Sequence, residues 1–288
     1  MALMGSTEDQ SFEALLQWYA DMGVDHAVGR QPADLYSWTA RSADRLPMGR
    51  RAKATGAPVL PMRNQARPAT PAAQTTVFKK ENAGVPADEA IALARQIAAG
   101  CSTFEALEAA VMAFEGCQLK AGCKNTVFAD GTQNSDLLVI GEAPGRDEDQ
   151  LGKPFVGRAG QLLDKMLAAI GRSRETNTLI TNIIYWRPPG NRTPTAVETA
   201  ICKPFVEQLI ELTKPKAILL AGGAPMQTLL GITGIMRQRG TWRDIELANG
   251  TRIPAIPIFH PAFLLRQPAQ KRQAWTDLQS LGAALKDS

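Results

Sequence analysis

Residues 136–145 read DLLVIGEAPG: four consecutive apolar residues run into a glycine, a carboxylate, a proline and a second glycine. An apolar run this short, closed by Gly and Pro, reads as a strand buried on both faces and ending in a tight turn. TLITNIIYW (178–186), KAILLAGG (216–223) and IPAIPIFHP (253–261) share that form, and NTVFADG (125–131) is a further β-rich piece. Helical stretches fall near 158–170, 196–213, 223–230 and 268–286. Strands alternating with helices predict an α/β fold, three layers α/β/α around a mainly parallel sheet. Ligands of such sheets sit beyond the carboxyl ends of the strands. The residues there are Gly141-Glu142-Ala143-Pro144-Gly145, Asn182 near the middle of its run with RPPGNR behind it, Gly222-Gly223, and His260-Pro261.

Upstream of this core, residues 11–28 show helical periodicity, with Phe12, Leu15, Leu16, Tyr19 and Met22 on one face. Residues 30–84 repeat Pro, Ala and Arg with few apolar clusters, the composition of a basic linker. Its arginines suit a solvated chain and weak attraction to nucleic acid equally. Two helices follow, one opening near Pro86 and one with Ser102 as N-cap and Glu105 completing a capping box. The expected organisation is a helical segment over 1–29, a linker over 30–84 and one domain over 85–288.

The 288 residues are 44% apolar, enough for a substantial core, and carry a net charge of +4. That charge permits contact with phosphate backbones without requiring it. No apolar run is long enough to span a membrane, and MALMGSTEDQ lacks the basic flank and apolar stretch of a secretory signal, so an intracellular (cytoplasmic) location is expected. The four cysteines, Cys101, Cys117, Cys123 and Cys202, form no CxxC pair, and buried free thiols are the plain expectation. Neither GxGxxG nor GxxxxGK[ST] follows any strand, which argues against a nucleotide-phosphate turn.

Taken singly, each candidate has an ordinary structural explanation. Glu142 suits a solvated turn, Asn182 a strand residue bonded to neighbouring backbone, and Phe155, between Pro154 and Gly157, either core packing or a face offered to a planar ligand. Together, GEAPGRDEDQLGKPFVGRAGQLLDKML, TNIIYWRPPGNRTPTAVE and HPAFLLRQPAQKRQAWTDL resemble, in order and separation, the three signature blocks of family 4 uracil-DNA glycosylases, over roughly residues 114–285.

The resemblance implies a DNA partner containing uracil and a role for each residue. Hydrolysing a deoxyribosyl bond develops positive charge on the sugar and negative charge on the departing base. Glu142 would face the first and activate water, while His260, one of only two histidines, would donate to the base. Asn182 would accept from N3–H and donate to O4, separating uracil from cytosine. Phe155 would stack on the flipped base, and Gly141, Ala143 and Glu148 would line the base site. Gly145 stands where some other glycosylases carry a bulky aromatic, so looser exclusion of other deaminated bases is expected, with Glu148 filling part of that space. Phe263, Leu264 and Leu265 are candidates for a wedge into the duplex, and Arg187, Arg192 and Arg266 for phosphate contacts. The plainer alternative for the apolar three is a helix start packing inward.

Family 4 enzymes usually hold an iron–sulfur cluster on four cysteines, two as C-x2-C and two about sixteen positions apart. Here Cys117 and Cys202 keep two of those positions, while Phe114 and Trp186 occupy the others. The expectation is no cluster and no other cofactor, with the aromatic rings filling its volume. The resemblance also leaves open a catalytically weak protein that binds uracil in DNA through the same pocket. A single site per chain suggests a monomer.

Overall fold

The computed structural model describes residues 86–286; the helix expected over 11–28 and the linker over 30–84 lie outside the described residues. Six strands form one sheet: β1 (Ala129–Gly131), β2 (Leu137–Gly141), β3 (Thr178–Asn182), β4 (Ala217–Ala221), β5 (Arg243–Glu246) and β6 (Arg252–Ile258). Their spatial order is β1-β3-β2-β4-β6-β5, with the inner four parallel and both edges antiparallel. The mainly parallel sheet is therefore as the sequence predicts. The antiparallel edges add two differences. Of NTVFADG only the last three residues pair, and β5, whose RDIE buries Ile245 alone, was not anticipated. An edge strand needs only one apolar side chain to sit down, which leaves no run to notice.

The helices are α1 (Ala87–Ala99), α2 (Phe104–Ala113), α3 (Arg146–Leu151), α4 (Arg158–Ala168), α5 (Ala196–Thr213), α6 (Gly223–Leu230), α7 (Ile235–Gln238), α8 (Pro261–Arg266) and α9 (Lys271–Ala284). Because side chains alternate across a strand, the sheet divides its apolar residues between two layers. Leu137 and Val139 of β2 join Leu163 and Met166 of α4 and Leu278 and Leu281 of α9. Leu138 and Ile140 join Ala94 of α1, Leu107 of α2, and Phe205 and Leu209 of α5. Every residue of β2, β3 and β4 is buried, which is why β2 and β4 read as continuous apolar runs, while β3 buries Thr178, Thr181 and Asn182 beside Leu179 and Ile180.

Local signals set the element ends. α2 is capped by Thr103, whose hydroxyl accepts from the Ala106 N–H at 3.1 Å, one residue later than the expected Ser102 cap, and Glu105 completes no capping box there. Shifting the cap by one moves Ala106 into the position expected of Glu105. A full capping box does open α5, between Thr195 and Glu198. Asn182 is the last residue of β3 and not its middle, because the pairing of β2 with β3 ends at Gly141 and Asn182.

The sheet positions a block of aromatic rings beneath α5. Phe114 lies 6.3 Å from Trp186 between ring centroids, nearly parallel, and 5.1 Å from Phe205. Trp186 is fully buried and its indole N–H donates to Thr126 Oγ1 at 3.0 Å. Cys117 and Cys202, both buried, share a thiol–thiol hydrogen bond beside these rings; that bond and burial push the Cys202 thiol up, and the same bond holds Cys117 low. Removing Trp186 leaves a ring-sized cavity and an orphaned hydroxyl. Trp186→Ala is expected to lower stability by about 3–5 kcal/mol in urea denaturation, while Phe at this position recovers most of it.

Candidate active site

Parallel strands deliver their carboxyl ends to one rim, and at this rim a cavity of about 510 Å³ opens. Glu142, Ala143, Glu148, Phe155, Asn182, Arg192, His260 and Arg266 all line it. The register explains the convergence: Gly141 of β2 pairs with Asn182 of β3, and the Ile183 and Ile184 N–H groups continue the pairing onto the Gly141 and Glu142 carbonyls. His260 arrives from the neighbouring side, two residues past β6 and as the N-cap of α8. The sheet's strand order reverses around β2, with β3 on one side and β4 on the other, so the cavity lies at the topological switch point.

Gly141 lines no cavity but makes one possible. A Cβ there would stand 2.3 Å from Asn182 Oδ1 and 2.5 Å from the Phe155 ring, so only glycine lets both approach the strand end. Asn182 is 2% exposed, yet its amide makes no hydrogen bond to any group among the described residues. The backbone hydrogen bonds that would make it a structural Asn are not formed, and its polar atoms are not among those sealed from solvent without a partner, so they meet the cavity. Its oxygen and NH2 remain available to one edge of a planar polar ligand.

Glu142 is half-buried, and its carboxylate too has no hydrogen-bond partner among the described residues. Desolvation raises its pKa above the ordinary carboxylate value. Glu148 behaves oppositely. Its Oε1 accepts from the Val156 and Gly157 N–H groups at 3.0 and 2.9 Å, and its Oε2 from Gly145 N–H at 3.1 Å. It lines the cavity, but as a brace joining the GEAPG turn to the loop that carries Phe155.

His260 has its proton placed by the chain. The Ala262 N–H donates to Nδ1 at 3.1 Å, which leaves Nε2 to carry the N–H of a neutral ring. Burial, reinforced by the positive charge of Arg266, pushes its pKa down to about 4. The imidazole is therefore a neutral donor. Its ring lies 5.7 Å from that of Phe155, with 28° between planes. Phe155 itself is nearly buried and sits at φ 53°, a conformation that costs a non-glycine residue of order 1–3 kcal/mol and concentrates at functional sites.

The rim residues separate. Arg266 is exposed at the mouth with no ion pair among the described residues. Arg192 is committed to Glu198, at 2.9 and 2.6 Å, and Arg187 to Asn191 at 2.7 Å outside the cavity lining. Leu264 is not a wedge: it is fully buried in the layer of α4 and α9, since the turn of α8 carries it inward. Phe263 is half-buried, its ring 5.0 Å from Phe259, and Leu265, 38% exposed, is the apolar residue of the three that remains free. Pro144 and Gly145, placed at this rim by the sequence, line it too, and the sequence reading did not single out Ala159, Pro188, Asn191 and Ala262 as part of the lining. The RPPGNR turn carried the signal for Pro188 and Asn191, and a His-Pro pair opening a helix carried the one for Ala262.

A four-thiolate cluster does not fit the cysteine region. The Phe114 and Trp186 rings pack against each other there, Cys117 and Cys202 are buried free thiols, and the Cys123 thiol, pushed up to about 11 by burial, donates to the Leu119 and Arg187 carbonyls. Among the described residues no three metal-binding side chains converge, and no helix is long and apolar enough to cross a membrane.

Residues 128–279 match the Uracil DNA glycosylase superfamily. Similar proteins include the type-4 uracil-DNA glycosylase of Archaeoglobus fulgidus, 36% identical over 177 residues, 60% of this chain and 88% of that one. Those of Pyrobaculum aerophilum (35% over 167 residues, 56% of this chain and 84% of that one) and Thermotoga maritima (36% over 150 residues, 52% and 77%) are similar to a like degree. The matched region begins at β1 and runs into α9, taking in every strand and every polar residue described at the rim, and on that extent the chain belongs to the uracil DNA glycosylase superfamily.

Proposed function

We propose that this chain excises uracil from DNA by hydrolysing the N-glycosidic bond, with water as nucleophile, and leaves an abasic site. The observation that carries this reading is one cavity walled by an unpartnered Asn182 amide, an unpartnered Glu142 carboxylate and the Nε2–H of a neutral His260. Uracil offers N3–H and O4 to Asn182 and O2 to His260. Cytosine presents an acceptor at N3 and a donor at N4, which mispair with the amide held in that orientation.

As the C1′–N1 bond lengthens, the sugar gains positive charge and the base carries the bonding pair toward O2. Glu142, ionised, faces that sugar charge and takes a proton from the water whose oxygen bonds C1′. His260 donates a hydrogen bond to O2 without having to give up a proton, since a ring that is neutral beforehand is sufficient for this work. Phe155 stacks on the extruded base, a contact worth about 1–3 kcal/mol and indifferent to base identity. Arg266 contacts a phosphate at the mouth and Leu265 is the apolar residue that enters the gap. No step involves a metal or cluster, and one chain supplies every group named, so a monomer suffices.

Base release is measured on an oligonucleotide with one labelled uracil, followed by alkaline cleavage of abasic sites. Glu142→Gln is expected to lower the rate by about 10²–10⁴-fold and His260→Ala by about 10²–10³-fold. Binding without any release in the wild type would reduce the protein to a reader of uracil in DNA.

The pH profile follows from the two shifts. Glu142 is active ionised and its pKa is raised, so kcat/KM climbs with pH through a single-proton limb lying above 4.5, the value of an unperturbed carboxyl. His260 stays neutral down to about 4 and contributes no limb near neutrality. The acid limb should vanish in Glu142→Gln and survive in His260→Gln; a limb near 6.5 that His260→Gln removes would contradict the neutral-donor role. The purified protein should also be colourless, whereas a brown visible band would overturn the cluster-free reading.

A further inference from the structure

We infer that Arg174 is a positioning residue for the proposed reaction, acting on Phe155 from outside the cavity; this rests on the reading of Phe155 as the base-stacking ring. Arg174 lies between α4 and β3, its side chain 12% exposed, and of its hydrogen-bond partners only Phe155 belongs to the cavity lining. All five of its N–H donors are used. Nη2 donates to the Phe155 carbonyl at 2.8 Å and Nη1 to the Pro154 carbonyl at 3.1 Å. The rest go to two carboxylates: Nη1 to Asp130 at 2.8 Å, and Nε and Nη2 to Asp164 at 3.0 and 2.8 Å.

Those two carbonyls flank the strained residue. Phe155 at φ 53° points its ring at the cavity and its carbonyl away from it, and an L-residue leaves that conformation unless its surroundings determine it. Two features do. Gly160 on α4 lets the Phe155 carbonyl come so near that a Cβ would meet the oxygen at 1.8 Å. Arg174 then grips the adjacent carbonyls with a planar fork, while Asp130 and Asp164 fix the fork. Lys153 adds a second cation to Asp130 at 3.0 Å, so the network keeps its charges balanced while half-buried. A carboxylate pair alone would need only a positive charge; two neighbouring carbonyls need the geometry of a guanidinium.

The expected outcome is that Arg174→Gln and Arg174→Lys both lower kcat/KM on uracil-containing oligonucleotide by about tenfold, as for misplacement of a ligand-facing group, with folding verified by circular dichroism. In a Phe155→Ala background the same changes should cost less than about twofold, because the ring they position is gone. Independently of activity, with 4-fluorophenylalanine incorporated at the nine phenylalanines, the fluorine resonance lost in Phe155→Leu should shift or broaden in Arg174→Lys while those of Phe128 and Phe205 hold. Full activity in Arg174→Lys, a penalty undiminished by Phe155→Ala, or an unmoved Phe155 resonance would each overturn the inference. Should Phe155→Ala keep the wild-type rate, base stacking fails as a reading, and the fluorine spectrum still decides whether Arg174 holds the segment.

Discussion

The register of β2 on β3 is the constraint on which the site depends. Setting Gly141 opposite Asn182 brings the Glu142 carboxylate, one position past the end of β2, and the Asn182 amide, at the end of β3, to the same rim. Slipping that pairing by one residue would turn Asn182 to the other face and bury Leu138 and Ile140 against the wrong layer. Because both faces of β2 are packed, the slip carries the loss of two apolar layers at once. The apolar core thereby fixes the position of polar groups it never touches.

Holding those groups has a cost. Asn182 and Glu142 have no hydrogen-bond partner among the described residues, His260 is held neutral down to well below its ordinary titration range, and Phe155 sits in a strained conformation. Each of these alone is a defect; gathered around one cavity they describe a site completed by a ligand. The stability to tolerate them comes from elsewhere, notably the ring block of Phe114, Trp186 and Phe205 beneath α5. Packed rings and the buried thiols of Cys117 and Cys202 fill this region.

How much of this was legible in the sequence follows from how locally each feature is encoded. The buried strands announce themselves as apolar runs bounded by Gly and Pro, and even β6, with Pro254 and Pro257 inside it, reads through because its branched residues outnumber its breakers. Glu142 and His260 were legible as strand-end residues and Phe155 as a turn residue in quotable blocks, whereas Asn182 read as mid-strand and only the pairing of β2 with β3 puts it at the end. What stayed hidden depends on partners distant in the chain. Leu264 and Leu265 are chemically alike, and only the phase of the α8 turn sends one inward and leaves the other exposed. Arg192 carries the same charge as Arg266, yet Glu198 neutralises it on the spot. Arg174 stands among polar loop residues with no motif, since its significance lies in two carbonyls some twenty positions upstream.

Glu148 shows how one carboxylate can do more by being occupied than by being free. Accepting three backbone N–H groups from two loops, it holds the GEAPG turn at a fixed distance from the loop of Phe155. Gly145 is part of the same arrangement, for a Cβ there would stand 2.7 Å from Glu148 Oε2, so a bulky residue at this position would displace the brace. In the proposed reading the space beside the base is then bounded by a carboxylate that cannot swing away without breaking three hydrogen bonds. A residue without a Cβ at position 145 is the condition for that brace, because any side chain there would press on the carboxylate that joins the two loops.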